Sequence, residues 1–305
     1  MELLTVENLH KTFHSIKKEK KALNGMSFSI KKGETVGFLG PNGAGKSTTI
    51  KIMMDLIKAD KGRVLINRID STDNKAREHL GFLPENPSFV ENLTGMQTVM
   101  FAASMHNIKT DEAHKRALQL LKRFNLSDSV NKPVRTYSKG MLQKLGIITA
   151  IIHQPEIIIL DEPMSGLDPI GRYQFKNQIK ELNNNGATIF FSSHIIPDIE
   201  DLCSRVIIVN KGAVIKTLEK EDTERISKTG YEIVLKADSK TIEKLDITEN
   251  ISNLGNGRYS VSTKNIDLSI TVIEKLKKSE AEIVDIKPIK NDLESLFIKL
   301  AQEPE

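Results

Sequence analysis

Gly40-Pro41-Asn42-Gly43-Ala44-Gly45-Lys46-Ser47-Thr48 is the stretch that decides the fold. It follows the pattern of Gly, any four residues, Gly, Lys, then Ser or Thr, which makes a phosphate-binding loop when a strand precedes it and a helix follows. Both flanks are in place. Thr35-Val36-Gly37-Phe38-Leu39 is a mostly apolar run of buried-strand length, and Ile50, Met53, Met54 and Ile57 recur at the i, i+3, i+4, i+7 spacing of one helix face. The glycines let several backbone N–H groups point inward as a nest for phosphate oxygens. The helix N-terminus adds roughly +0.5 charge at the same point. Lys46 then reaches the β- and γ-phosphates, and the Ser47 hydroxyl is placed for Mg²⁺. The segment implies a nucleoside triphosphate site.

Around that loop the chain has 305 residues, which suits one large domain and one small. Apolar residues make up 39%, enough for a real core, and the net charge of +4 is too mild to specify a polyanion as partner. The run Lys17-Lys18-Glu19-Lys20-Lys21 reads as a solvated loop, so no nucleic-acid partner is expected. Cys203, the one cysteine, excludes an intramolecular disulfide and suits a reducing compartment. The histidines lack metal-ligand spacing; His10 and His14 lie four apart, in strand and loop. No signal-peptide pattern opens the sequence, and no apolar run approaches the ~20 residues of a membrane helix. Any membrane part is therefore expected from another chain.

Leu3-Leu4-Thr5-Val6 and Met26-Ser27-Phe28-Ser29-Ile30 read as strands, with Phe13 and a polar, flexible segment between them. Phe13 is a candidate to stack on a nucleotide base; its alternative is an edge-strand packing role. Gly62-Arg63-Val64-Leu65-Ile66 is a strand, and Leu80-Gly81-Phe82-Leu83-Pro84 is another that stops just before Glu85. Residues 95 to 155 read as almost wholly helical, with Ala113, Ala117, Leu120, Leu121 and Phe124 on one stripe. Lying between strands of an alternating sheet, this block is expected beside the sheet rather than upon it. Ser138 is placed to cap the last helix of the block, and a capped helix N-terminus with a free hydroxyl is also an anion site.

Ile157-Ile158-Ile159-Leu160 is apolar throughout, as a parallel strand covered on both faces must be. It ends in Asp161-Glu162, at the carboxyl edge where open α/β sheets bind ligands. Asp161 suits holding Mg²⁺ through its water shell, and Glu162, pointing the other way, suits polarising an attacking water. Ala187-Thr188-Ile189-Phe190-Phe191 is the next strand, and His194 just beyond it is a candidate γ-phosphate sensor. A hairpin of 205–209 and 213–215 closes the unit. Beyond it, residues 223–230 read as a linker. Residues 231–305 follow the order βαββαβ, which suggests a ferredoxin-like domain, ending in an amphipathic helix with Leu293, Leu296, Phe297 and Leu300 on one face and Asn291 and Glu294 at capping-box spacing.

In this order and spacing the motifs resemble the nucleotide-binding subunit of ATP-binding cassette (ABC) transporters over roughly residues 2 to 220. Gly40–Thr48 (Gly40, Pro41, Asn42, Gly43, Ala44, Gly45, Lys46, Ser47, Thr48) is similar to the Walker A sequence letter for letter, and Ile157–Glu162 to Walker B with its catalytic glutamate. Ser165–Asp168 falls at the D-loop, His194 at the switch histidine, and Phe13 at the aromatic that stacks on adenine. The signature Leu-Ser-Gly-Gly-Gln is matched in part: Ser138 and Gly140 are kept, while Tyr137, Lys139 and Met141 replace the other residues. Glu85 stands where the family has a glutamine, and a carboxylate there can ligate Mg²⁺ or orient water. Both departures, with Leu293-Glu294-Ser295-Leu296-Phe297 near the end, resemble the bacterial ABC-2-type exporter subgroup.

The resemblance implies an α/β fold: a P-loop NTPase core of the ABC type in residues 1–222, with an antiparallel β subdomain and a helical subdomain at about 86–155. A small C-terminal α+β domain follows the linker. It further implies an ATPase that uses ATP and Mg²⁺, with metal contacts from Ser47, Glu85 and Asp161. Ser138, Gly140 and Asp168 act in trans in a homodimer or heterodimer of cassettes, docked on integral membrane permease subunits at the cytoplasmic face. Two other classes fit the chain less well. Soluble ABC ATPases carry paired cassettes or a split cassette with coiled coil, and this chain has one uninterrupted cassette. A small kinase or GTPase fits neither the signature-like segment nor the Asp161-Glu162 pair, and an Asn-Lys-x-Asp guanine-reading motif is absent.

Overall fold

A computed structural model describes residues 1–15, 18–222, 231–245, 250–263, 266–288 and 297. The chain divides into two units, Met1–Glu219 and Lys220–Glu305. The first begins with β1 (Glu2–Ser15), β2 (Lys18–Lys31), β3 (Thr35–Leu39), α1 (Lys46–Met53), β4 (Lys61–Ile66), β5 (Ile69–Asp70), α2 (Asn74–Arg77) and β6 (Leu80–Leu83). Three helices follow: α3 (Gly95–Met105), α4 (Thr110–Arg123) and α5 (Lys139–Ile151). Then come β7 (Ile157–Asp161), α6 (Pro169–Asn184), β8 (Thr188–Ser193), α7 (Ile196–Leu202), β9 (Arg205–Asn210) and β10 (Ala213–Glu219).

The strands form two sheets in this unit. One is antiparallel, in the order β2-β1-β4-β5, and the other is six-stranded, in the order β10-β9-β3-β8-β7-β6. In the second sheet β9, β3, β8, β7 and β6 run parallel, so their carboxyl ends share one edge. β3, β7 and β8 are buried at every position, as parallel strands with both faces covered should be. Between the sheets, Phe28 stacks on Phe190 at 5.7 Å, and Phe38 lies 5.1 Å from Phe190 at a tilt; such aromatic pairs add about 0.5–1.5 kcal/mol beyond the area they bury.

Three local expectations are corrected. The polar segment after Phe13 is not a loop: β1 and β2 stay paired, with Phe13 opposite Lys20 and Ser15 opposite Lys18. Lys18, Glu19, Lys20 and Lys21 are therefore strand residues, since backbone pairing across the hairpin outweighs their low strand propensity. The helix after the loop ends at Met53, before Ile57, because Asp55 adopts a left-handed φ of 55°. Ile57 still packs on the core as part of the following turn. The helical block is likewise interrupted: turns and two short 3-10 helices (Ser127–Ser129 and Val134–Thr136) fill 124–138 between α4 and α5. α4 buries Ala113, Ala117 and Leu121, while Leu120 is half-exposed.

The second unit contains β11 (Tyr231–Lys236), α8 (Ser239–Lys244), β12 (Asn250–Gly255), β13 (Arg258–Ser262), α9 (Ile266–Lys277) and β14 (Glu282–Pro288). Its sheet is antiparallel in the order β12-β13-β11-β14. That is the split-βαβ arrangement its element order predicts, with Ile233, Leu235, Val261, Val272 and Leu276 in its core. The expected linker at 223–230, and Leu293, Leu296, Leu300 and the Asn291–Glu294 capping pair, lie outside the described residues.

Candidate nucleotide-binding and hydrolysis site

The loop between β3 and α1 turns tightly because Gly43 and Gly45 hold φ of 85° and 102°, values that a side chain strains. Gly45 is also the N-cap of α1 and provides no side-chain cap, so the first-turn N–H groups are left to an incoming anion. A Cβ on Gly45 would lie 2.8 Å from the Ala22 carbonyl oxygen. Lys46 is buried; its Nζ donates to Gly40 O at 2.7 Å and lies 3.5 Å from Glu162 Oε1.

Asp161 and Glu162 leave β7 in different directions. Asp161 is buried, and its Oδ1 accepts from Ser192 Oγ at 2.6 Å and from Ser47 Oγ at 3.4 Å. Glu162 adopts φ of 45°, a left-handed conformation that costs a residue with a Cβ about 1–2 kcal/mol. Its N–H donates to Ser192 Oγ at 2.9 Å, which holds the turn in place. The turn aims the carboxylate back over the loop, with one oxygen near Lys46 and the other 2.9 Å from His194 Nδ1.

These groups surround a cleft of about 280 Å³. Phe13, Lys20 and Ala22 form one wall, and Pro41, Asn42, Gly43, Gly45, Lys46, Ser47 and Thr48 form the floor. Glu85, Glu162 and His194 close the far side. Gly40 and Ala44 are buried beneath the loop, and Asp161 sits behind Ser47. Phe13 is exposed, with Lys11 Nζ 5.7 Å above its ring. Two contributors carried no signal in the sequence. Lys20 reaches the cleft only because the hairpin continues, and Ser192 reaches Asp161 only across the β7–β8 register.

Ser138, Gly140 and Asp168 do not line this cleft. They meet in a separate cavity of about 390 Å³ with Lys139, Met141, Lys144 and Leu167. Ser138 caps α5 by accepting from Met141 N at 3.3 Å, and Asp168 caps α6 by accepting from Gly171 N at 2.6 Å. Burial pushes the Lys144 ammonium below its usual range, with the charge of Asp168 opposing that shift.

The donor set suits Mg²⁺. Ser47 and Asp161 offer hard oxygens beside the phosphate nest, and Mg²⁺ typically takes one or two protein oxygens, keeping waters and substrate phosphates for the rest. Among the described residues there is no group of three or more His, Cys, Asp or Glu that would hold a metal without such help. No helix among them is long and apolar enough to cross a membrane.

The sequence model of the ABC transporter family matches residues 23–165. An uncharacterised ABC transporter ATP-binding protein of Synechocystis sp. is 32% identical over 99% of this chain and 85% of its own length. The linearmycin resistance ATP-binding protein of Bacillus subtilis is 36% identical over 72% of this chain and 70% of its own. A dimeric ATP-binding cassette solved in a post-hydrolysis state with ADP and Pi superimposes with a TM-score of 0.66. It is 27% identical and covers 71% of this chain and 98% of that structure.

Proposed function

The chain belongs to the ABC transporter family of ATP-binding cassettes, which hydrolyse ATP, and from that premise we propose that it drives an exporter through ATP-dependent pairing of two cassettes. The observation that carries this reading is the division of the site. Lys46, Glu162 and His194 share one cleft, whereas Ser138 and Asp168 belong to another cavity. A second cassette, identical or related, is then needed to bring its Ser138 and Gly140 to the triphosphate.

The loop N–H groups and Lys46 bind and orient the phosphates, and Phe13 stacks on the base. Glu162 takes a proton from the attacking water as general base, a role that contributes roughly 10²–10⁴-fold in rate. His194 holds the Glu162 carboxylate at 2.9 Å and so fixes its direction. Mg²⁺, when bound through Ser47 and Asp161 with Glu85 nearby, neutralises charge on the phosphates. Residues 1–222 carry this chemistry in our reading. The work is delivered to separate integral membrane subunits, with this chain on their cytoplasmic face. The relative named for linearmycin resistance supports the export direction.

The test is Glu162→Gln. It is expected to bind ATP, hydrolyse it slowly and accumulate as an ATP-dependent dimer on size-exclusion chromatography. Near-wild-type turnover would remove Glu162 from the role of base. Tagging the chain in its native cell tests the coupling: a polytopic membrane protein in near-equal amount supports an exporter, and recovery only with soluble partners argues against it.

A further inference from the structure

Gln143 is fully buried in α5, five residues past the signature serine. Its Nε2 donates to the Glu85 carbonyl oxygen at 2.8 Å, while its Oε1 is buried with no hydrogen-bond partner. The rest of this helix face is apolar and tight. A Cβ on Gly146 would sit 2.5 Å from Leu83 Cδ1 and 3.3 Å from Pro87 Cβ, and a Cβ on Gly81 would run into the Ala150 carbonyl oxygen. Helix α5 and strand β6 are therefore closely packed along their length. Gln143 extends that attachment past the end of β6, to a main-chain segment that the sheet no longer holds. The side chain of that same Glu85 lines the nucleotide cleft.

Packing does not require an amide here. A buried amide with half its hydrogen-bonding capacity unmet is less stable than an apolar side chain of equal length, because the orphan acceptor has lost its water. What Gln143 supplies is a link. We propose that Gln143 is a positioning residue that ties the Glu85 segment of a cassette's own cleft to the helix carrying Ser138. The proposal rests on the reading of Ser138 as acting on a partner's ATP. Were Mg²⁺ bound with ATP to draw the Glu85 carboxylate inward, the carbonyl that Glu85 shares with Gln143 would pull on α5 near its signature end. Conversely, a helix held by the partner fixes Glu85 against the nucleotide. The bond thus joins the two half-sites that one chain contributes to the dimer.

Two variants separate this role from a purely structural one. Gln143→Met keeps the length and removes the orphan oxygen, so its melting temperature is expected to equal or exceed that of the wild type. Gln143→Glu keeps the shape but replaces the donor with an acceptor facing a carbonyl, so its melting temperature is expected to fall. Both lose the link, and both are expected to lower kcat roughly 10- to 100-fold, the scale of a small misplacement at a reacting centre. ATP affinity of each isolated chain should stay within about twofold, because Gln143 does not line the nucleotide cleft. Turnover that follows melting temperature across the pair would make the role structural and overturn the proposal. Wild-type turnover in Gln143→Met would overturn it equally, and Gln143→Met decides alone if Gln143→Glu does not fold. Glu162→Gln in the otherwise unaltered chain reports separately on the dimer: if it traps none, the reading beneath the proposal fails and the proposal with it.

Discussion

Ser192 Oγ donates to Asp161 Oδ1 at 2.6 Å and accepts the N–H of Glu162 at 2.9 Å. One buried hydroxyl therefore fixes both carboxylates of the site, one through its side chain and the other through its strained main chain. Ser192→Ala is expected to leave a buried N–H and a buried carboxylate oxygen short of a partner, costing about 1–3 kcal/mol of stability. Glu162 would also relax from its left-handed turn, so kcat should fall at least roughly tenfold while ATP affinity holds. Thermal melts and steady-state ATPase assays check both. A variant that melts lower but turns over normally would show that the turn holds without Ser192.

His194 Nδ1 lies 2.9 Å from Glu162 Oε2, and the opposite oxygen, Oε1, lies 3.5 Å from Lys46 Nζ. With the imidazole removed, Lys46 alone directs the carboxylate, drawing it toward the loop floor and away from an attacking water. His194→Ala is accordingly expected to lower kcat by about 100-fold with little change in the concentration of ATP needed for half-maximal rate. A large rise in that concentration instead would mark His194 as a nucleotide-binding residue.

Cys203 closes α7 against the central strand, where a Cβ on Gly37 would lie 2.7 Å from its Sγ and 2.6 Å from Ile199 Cδ1. Burial pushes the thiol well above its usual pKa, and only the thiolate is nucleophilic. Cys203 should resist disulfide reagents at mildly alkaline pH in the folded protein and react fully in denaturant. Gly37→Ala is expected to overpack this contact at about 1–3 kcal/mol, measured by chemical denaturation. Fast labelling of the native chain would contradict the burial.

The legible parts of this molecule were those in which chemistry sits next to a continuous pattern. Asp161 and Glu162 come directly after the apolar run Ile157–Leu160, and His194 comes shortly after Ile189-Phe190-Phe191, so the sheet edge was readable from one dimension. Lys20, Ser192 and Gln143 were not, because each owes its place to pairing with another strand or segment and not to its own local pattern. Lys20 depends on hairpin pairing opposite Phe13, Ser192 on a register with Asp161, and Gln143 on a carbonyl 58 residues away. The early end of α1 was hidden for a different reason: Ile57 keeps the helical spacing of a core residue while reaching the core from a turn.

His153 gives the fold a dependence on acid. Its ring stacks on His106 with centroids 3.6 Å apart, its Nε2 meets the Leu80 carbonyl oxygen at 2.9 Å, and its Nδ1 is buried without a partner. Burial, with the neighbouring His106 adding to it, lowers the His153 pKa to about 4. Burial lowers His106 as well, against the pull of Glu78. A free histidine titrates near about 6.5, so between these values the unfolded chain takes up a proton that folded His153 refuses. Stability from the neutral ring is complete above the unfolded value and is lost as pH falls toward the folded one. Melting temperature should therefore drop between neutral pH and about pH 4.5, and His153→Gln, which keeps a donor for Leu80, should flatten that drop. Equal slopes in the two proteins would place the acid sensitivity elsewhere.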